Sequence, residues 1–155
     1  MIKHIQCDIF ESGADVILHQ VNCQGVMGSG VARQVREKFP SVYKSYKTIC
    51  DGMKNRSQLL GTAQCVQVDS GQFIVNLFAQ ENYGHDGKCY TDYNALKRCL
   101  QSVKTYPMFD NQTIAIPYKI GCDRGGGDWN IVYKMIKDIF SDSDMTVLIC
   151  EYNGG

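Results

Sequence analysis

Apolar residues recur along this chain in two rhythms, and the switches between them mark out its elements. Ile2–Gln6 and Val16–Val21 are short runs rich in β-branched residues, separated by the turn-like Glu11-Ser12-Gly13, and they predict two strands. From Val31 the spacing becomes helical. Val31, Val35 and Phe39 fall on one stripe, Arg33, Arg36, Glu37 and Lys38 fill the other faces, and Pro40 is expected to end the helix. A second short helix is predicted over Ser41–Cys50, capped by Ser41, with Val42, Ile49 and some of the tyrosines inward. Gly52–Gly61 reads as a polar connector, and Thr62–Val68, the turn Asp69-Ser70-Gly71 and Gln72–Phe78 read as a hairpin. Ala79–Tyr90 is loop-like. A helix over about Asp92–Thr105 then places Leu96, Cys99, Leu100 and Val103 at i, i+3, i+4 and i+7, the spacing of a buried stripe. Thr113–Pro117 predicts a strand, Lys119–Asp128 a glycine-rich loop, and Met145–Cys150 a last strand. Between these last two lies a helix, Trp129–Phe140, with Val132, Met135, Ile136, Ile139 and Phe140 on one face.

Strands interleaved with helices of this length imply an α/β fold: three layers, α/β/α, around a mixed central sheet of about six strands. The chain has 155 residues, enough for one domain of ordinary size, and no internal repeat, low-complexity tract or linker divides it. A single domain over residues 1–155 is therefore expected.

Charge and cysteine content narrow the partners. Sixteen Lys plus Arg balance sixteen Asp plus Glu, so no global field draws the chain onto nucleic acid or an anionic membrane, and neither partner is expected. No apolar run approaches the roughly 20 residues of a membrane helix. The eight cysteines never form Cys-x-x-Cys and none has a zinc-like spacing to a histidine, so no metal is expected. No basic-then-apolar leader is present at the start, and a reducing cytoplasm is the expected location, with the protein acting as a monomer.

The informative chemistry lies in two stretches. Val16–Ala32 runs from a strand through Gly25, Gly28 and Gly30 into a helix. Glycines allow positive φ and close backbone approach, and the helix start offers unpaired N–H groups with a positive dipole end, which together suit a phosphate. The spacing Gly25-x-x-Gly28-x-Gly30 matches neither the Rossmann fingerprint nor the P-loop, and taken alone it equally fits a tight connection without a ligand. The second stretch, Ile116–Trp129, repeats strand, glycine loop and helix, with Gly121, Gly125, Gly126 and Gly127 in the loop. Ordering four glycines costs backbone entropy, roughly 0.5–1 kcal/mol each relative to Ala, which a simple connector has no reason to bear. In an open α/β sheet such loops sit at the carboxyl ends of strands, where ligands bind, and two of them can enclose a diphosphate.

The segments Cys7-Asp8-Ile9-Phe10, Val21–Ala32 and Ile120-Gly121-Cys122 through Gly127-Asp128-Trp129 resemble the signature elements of the macrodomain family. Within it they look most like the branch of the yeast ADP-ribose-1″-phosphate phosphatase and the human terminal ADP-ribose-glutamate hydrolase, with elements in matching order over nearly the whole chain. The resemblance implies an ADP-ribose site with no cofactor. By that resemblance Asp8 would accept the adenine amino hydrogen beside the Ile9 amide, and Asn22 would hydrogen-bond the distal ribose. Gly25, Met27, Gly28, Ser29, Gly30, Val31 and Ala32 would wrap the diphosphate and distal ribose from one side. Gly121, Cys122, Arg124, Gly125, Gly126 and Gly127 would wrap them from the other. Gly28 and Gly126 would then exclude side chains to keep the ligand's access rather than to allow folding.

Departures from the family pattern bear on the chemistry. Gln80 stands where the glutamate-ADP-ribose hydrolase would place its lysine, so the resemblance does not extend to a lysyl intermediate. His19 matches a histidine of the phosphatase branch, and Asp123 or Asp128 supplies a carboxylate from the second loop. His19 also fits a satisfied core residue, and Asp128 also fits a helix cap. Three functions stay open at this point. One is a hydrolase removing a 1″-phosphate, an acyl ester or a protein-linked ester from the distal ribose, with His19 and Asp128 ranked above Asp123 as base. The second is a non-catalytic reader of free or protein-attached ADP-ribose. The third is a binder of another nucleotide or of single-stranded RNA, which the neutral charge disfavours.

Overall fold

All six apolar runs become strands, and the computed structural model describes residues 1–153. The strands are β1 (Ile2–Gln6), β2 (Val16–Asn22), β3 (Ala63–Gln67), β4 (Phe73–Gln80), β5 (Thr113–Pro117) and β6 (Thr146–Glu151). The helices are α1 (Gly30–Lys38), α2 (Pro40–Gly52), α3 (Tyr93–Thr105) and α4 (Trp129–Phe140). One six-stranded sheet has the order β1-β6-β5-β2-β4-β3. Every neighbouring pair is parallel except the β3–β4 hairpin at one edge, so the sheet is mixed. Together with helices on both faces this is the expected three-layer α/β/α architecture.

Side chains alternate across the sheet and feed two cores. One face buries Ile17, Val21, Ile74 and Phe78 against Val35 of α1 and Val42, Tyr46 and Cys50 of α2. The other buries Leu18, Val75 and Leu77 against Leu96 and Leu100 of α3 and Val132 and Ile136 of α4. Covered on both faces, β2 and β4 are buried almost throughout, which is why they read as unbroken apolar runs.

Several local expectations change in the structure. Pro40 does not merely stop α1; it opens α2, where a fixed φ and a missing N–H are harmless. Phe39 takes the N-cap position, so Ser41 does not cap the helix. Ile49 is exposed, and α2 instead buries Val42, Tyr46 and Cys50 at i, i+4 and i+8. Short 3₁₀ turns, Ile9–Glu11 and Arg56–Leu59, fill what read as a turn and a polar connector. β4 runs two residues past Phe78 because Gln80 pairs with Asn22 after a register shift and bridges Thr91.

β2 and β5 are adjacent and parallel, yet β2 leads into α1 on one face and β5 into α4 on the other. Chains leaving neighbouring strands toward opposite faces open a crevice at the carboxyl end of the sheet. No described helix is long and apolar enough to cross a membrane.

Candidate functional site

The first wall of the crevice is a loop braced by one amide. Asn22, 7% exposed at the end of β2, accepts hydrogen bonds at Oδ1 from the Gln24 N–H (2.9 Å) and the Tyr46 hydroxyl (2.8 Å). Its Nδ2 donates to Val26 O at 2.8 Å. Burial raises the pKa of the Tyr46 hydroxyl, which keeps it a donor. Gly25 reverses the chain at φ +82°, and Cys23 and Met27 root the loop in the core. Beyond that root the loop is open. A Cβ at Gly28 would meet only Val26 Cγ1 at 3.5 Å, and one at Gly30 would meet nothing. Ser29 gives α1 no side-chain cap, so the first amides of the helix are left for something else to bind.

The second wall, between β5 and α4, is braced from outside. Thr91 Oγ1 and the Gly127 N–H both donate to Gly121 O, at 2.7 and 2.8 Å. Gly125 O accepts from the Tyr90 and Thr91 N–H groups at 2.7 and 3.0 Å. The connection between β4 and α3 therefore carries this loop on its back. A Cβ at Gly126, where φ is +71°, would stand 2.5 Å from Lys88 O and 3.0 Å from Cys89 Cα. Gly126 is thus required by packing and backbone conformation, which corrects the expectation that it keeps clear a path for ligand.

Between the walls lies a cleft of about 420 Å³. Of the residues singled out from sequence, it brings together His19, Asn22, Gly28, Ser29, Gly30, Val31, Ala32, Gly121, Asp123, Arg124 and Gly125. Others stand apart from its lining. Asp8 caps the 3₁₀ turn, accepting from the Phe10 N–H at 3.0 Å, and Ile9 is buried. Gly25 and Met27 lie beneath the first loop, and Cys122, Gly126 and Gly127 form the back of the second. Asp128 caps α4, its carboxylate accepting from the Asn130 N–H at 2.9 Å. The order of the candidate bases changes accordingly. Asp123 is exposed and lines the cleft, whereas Asp128 turns to its helix.

His19 is 1% exposed, and burial pulls its pKa from 6.5 down to about 4, so the imidazole is neutral near pH 7. Nε2 is paired with Asn76 Oδ1, and Nδ1 has no partner. Gln80, also in the lining, has its amide engaged: Oε1 accepts from Gln20 at 2.9 Å and Nε2 donates to Asn82 O at 2.8 Å. Among the described residues no three His, Cys, Asp or Glu side chains gather as a metal site.

Sequence reasoning missed Gln20, Tyr83, His85, Tyr118 and Lys119 as cleft residues. Tyr83 and His85 sit in what read as a plain loop. The available signal was that this loop follows a strand parallel to β2, so it must emerge on the same edge of the sheet.

A DNA ADP-ribosyl glycohydrolase of Mycobacterium tuberculosis is 23% identical over 157 residues, covering 100% of this chain and 43% of that protein. An ADP-ribose 1″-phosphate phosphatase of Saccharomyces cerevisiae is 29% identical over 116 residues, 72% of this chain and 63% of the relative. The chain thus spans less than two thirds of the length of these relatives. A structure of Thermosipho africanus DarTG in complex with ADP-ribose superposes with a TM-score of 0.81 at 20% identity, over 96% of this chain and 41% of that one, and shares the fold. The family model of the Macro domain matches residues 18–136, from the middle of β2 to the middle of α4 and through both glycine loops. By that match the chain belongs to the Macro domain family.

Proposed function

We propose that the cleft binds ADP-ribose and that the protein hydrolyses ADP-ribose derivatives at the distal ribose. The observation that carries this reading is the pair of glycine loops facing each other across the crevice between β2 and β5, with the uncapped start of α1 opening into it. The α1 amides suit a diphosphate, and Lys119 and Arg124 on the opposite wall add positive charge. The names of the relatives, a glycohydrolase and a phosphatase that both act on ADP-ribose derivatives, point the same way.

Water is the attacking group in this reading. Gln80 cannot serve as an amine nucleophile, and its amide is held by Gln20 and Asn82. Asp123 orients and deprotonates the water from the cleft wall, and the amides of α1 hold the phosphate charge, so turnover is expected to survive excess chelator. The chain works as one macrodomain over residues 1–155, as a monomer, in a reducing cytoplasm that keeps its eight thiols free. Its substrates are small ADP-ribose derivatives or ADP-ribosylated protein rather than nucleic acid, because the balanced charge gives the chain no net attraction to a polyanion.

Calorimetry tests the site. ADP-ribose should bind 1:1 and more tightly than AMP, which lacks the second phosphate and the distal ribose; equal affinities would remove the two-loop reading. An ADP-ribosylated oligonucleotide is the necessary control, and a marked preference for it would overturn the exclusion of nucleic acid. Tight ADP-ribose binding without turnover of any derivative would favour the reader.

A further inference from the structure

The formal charge of the chain is zero, but it is unevenly placed. Residues 30–56, which span α1 and α2, hold seven of the sixteen basic side chains and two of the sixteen acidic ones. The remainder of the chain, with nine basic side chains against fourteen acidic, is correspondingly negative.

Three of these cations converge on the outer side of the bend at Gln24 and Gly25. Arg56 Nη1 donates to Gln24 O at 2.8 Å, and Lys47 Cγ lies 3.9 Å from where a Cβ on Gly25 would stand. Arg36 holds its guanidinium 4.3 Å from the ring centroid of Tyr43, whose hydroxyl donates to Gly25 O at 3.4 Å. Lys44, exposed one turn before Lys47 on α2, extends the cluster. One carboxylate answers them: Asp51 pairs with Lys47 at 3.0 Å and with Arg56 at 3.1 Å. Glu81 meets the bend through its carbonyl O, which accepts from the Cys23 N–H and from Gln24 Nε2, both at 3.1 Å. The cluster thus keeps an excess of positive charge. Lys47 and Asp51 are each about half exposed, so an incoming anion can compete for these cations without uncovering a buried group. The inner side of the same bend belongs to the cleft, which Asn22 and Val26 line.

We propose that Arg36, Lys44, Lys47 and Arg56 form a docking patch for an acidic polypeptide segment next to the modified side chain of an ADP-ribosylated protein. This rests on the ADP-ribose reading above, in which the macromolecule is joined at the distal ribose and leaves the cleft over one of its rims. The Gln24–Val26 bend is such a rim, with the cations on its outer side. A nucleic-acid strand suits the patch less. Strand binding uses open aromatic rings on which bases stack, and Tyr43 has Arg36 on its ring and packs against Tyr46. An extended polyanion would also run on from the patch onto the negative remainder of the chain, whereas a few clustered carboxylates would meet the cations alone.

The test is calorimetry on the intact protein with two peptides that carry ADP-ribose through a non-hydrolysable linkage, one flanked by Asp and Glu and the other by Asn and Gln. At low salt the acidic peptide should bind about tenfold more tightly, and the difference should fall to about twofold or less near 0.5 M salt. In Arg36→Gln with Lys47→Gln the preference should vanish while free ADP-ribose binds as it does to the parent. Equal binding of the two peptides, a preference that survives the double substitution, or a preference that ignores salt would each overturn the proposal. Tighter binding of an ADP-ribosylated oligonucleotide than of the acidic peptide, lost in the same variant, would overturn it in favour of nucleic acid. Failure of free ADP-ribose to bind would instead sink the reading of the cleft. The patch is then judged by the unmodified acidic peptide, which should move the side-chain NMR resonances of Lys47 and Arg56 in the parent.

Discussion

The two glycine loops that face each other across the cleft are alike in composition and unlike in what their glycines do. In the first, Gly28 and Gly30 have open space where a side chain would begin, and the loop is held by the buried polar end of β2. In the second, Gly121, Gly125, Gly126 and Gly127 are all pressed against protein: Gln20, Thr91, the Lys88–Cys89 backbone, or the carbonyl of Gly121. The first loop is permissive at its tip and rigid at its root. The second is packed at every one of its glycines, because a separate segment is fastened to its back. Glycine content alone therefore does not say whether the space beside it belongs to a ligand or to the fold.

The sharpest way to break this contrast is to place a branched side chain on each loop. Gly126→Val combines positive φ with a collision against backbone, and should destabilise the protein by about 3 kcal/mol or more, read by denaturant unfolding. A Gly126→Val protein that unfolds like the parent would show that the second loop is not packed as described.

The burial of β2, the strand that leads into the first loop, can be probed through pH. An unfolded chain protonates His19 below its ordinary 6.5, while the folded chain resists until about pH 4. The unfolded state thus binds the extra proton in that window. The contribution is fully present above pH 6.5 and is lost as pH falls toward 4, at about 3 kcal/mol in all. His19→Leu should flatten the acid limb of the stability curve between those values whatever its offset. An unchanged slope would mean that His19 is not buried neutral.

Asn22→Ala removes four hydrogen bonds at the root of the first loop and should cost about 2 kcal/mol of stability, together with ADP-ribose affinity. Tyr46→Phe, which takes away only the hydroxyl, should cost less on both counts. If Asn22→Ala lowers affinity without touching stability, the amide contacts ligand more than it braces the loop.

The smallest effect is the most discriminating. Gly28 has an ordinary φ and room for a methyl group, so Gly28→Ala should leave stability within about 0.5 kcal/mol of the parent. ADP-ribose affinity should nevertheless fall about tenfold, or about 1.4 kcal/mol, because the added methyl stands on the wall reserved for ligand. Unchanged affinity would place the diphosphate elsewhere.

Taken alone, the sequence determined the elements wherever period and punctuation agreed. Trp129–Phe140 was legible as a helix to the residue, since its apolar stripe begins beside a capping Asp128 and ends at a turn. The β3–β4 hairpin followed from Asp69-Ser70-Gly71, and the layer order from alternating strands and helices. Both glycine loops were visible because a strand and a helix flank each of them. What the tertiary structure decided was everything that depends on neighbours distant in the chain. Pro40 could not reveal that it opens α2, nor Ile49 that it faces solvent, because a local pattern does not show which side of a helix meets the sheet. Asp128 was legible in sequence as a helix cap, but only the chain path shows that capping turns it from the cleft and that Asp123, ranked below it as a base, lines the cleft instead. The hydrogen bonds that hold His19 and Gln20 depend on Asn76, Gln80 and Thr91, residues 57 to 71 positions away. Hydrogen-bond direction is a property of a closed network, and that network exists only once the sheet has brought its members together.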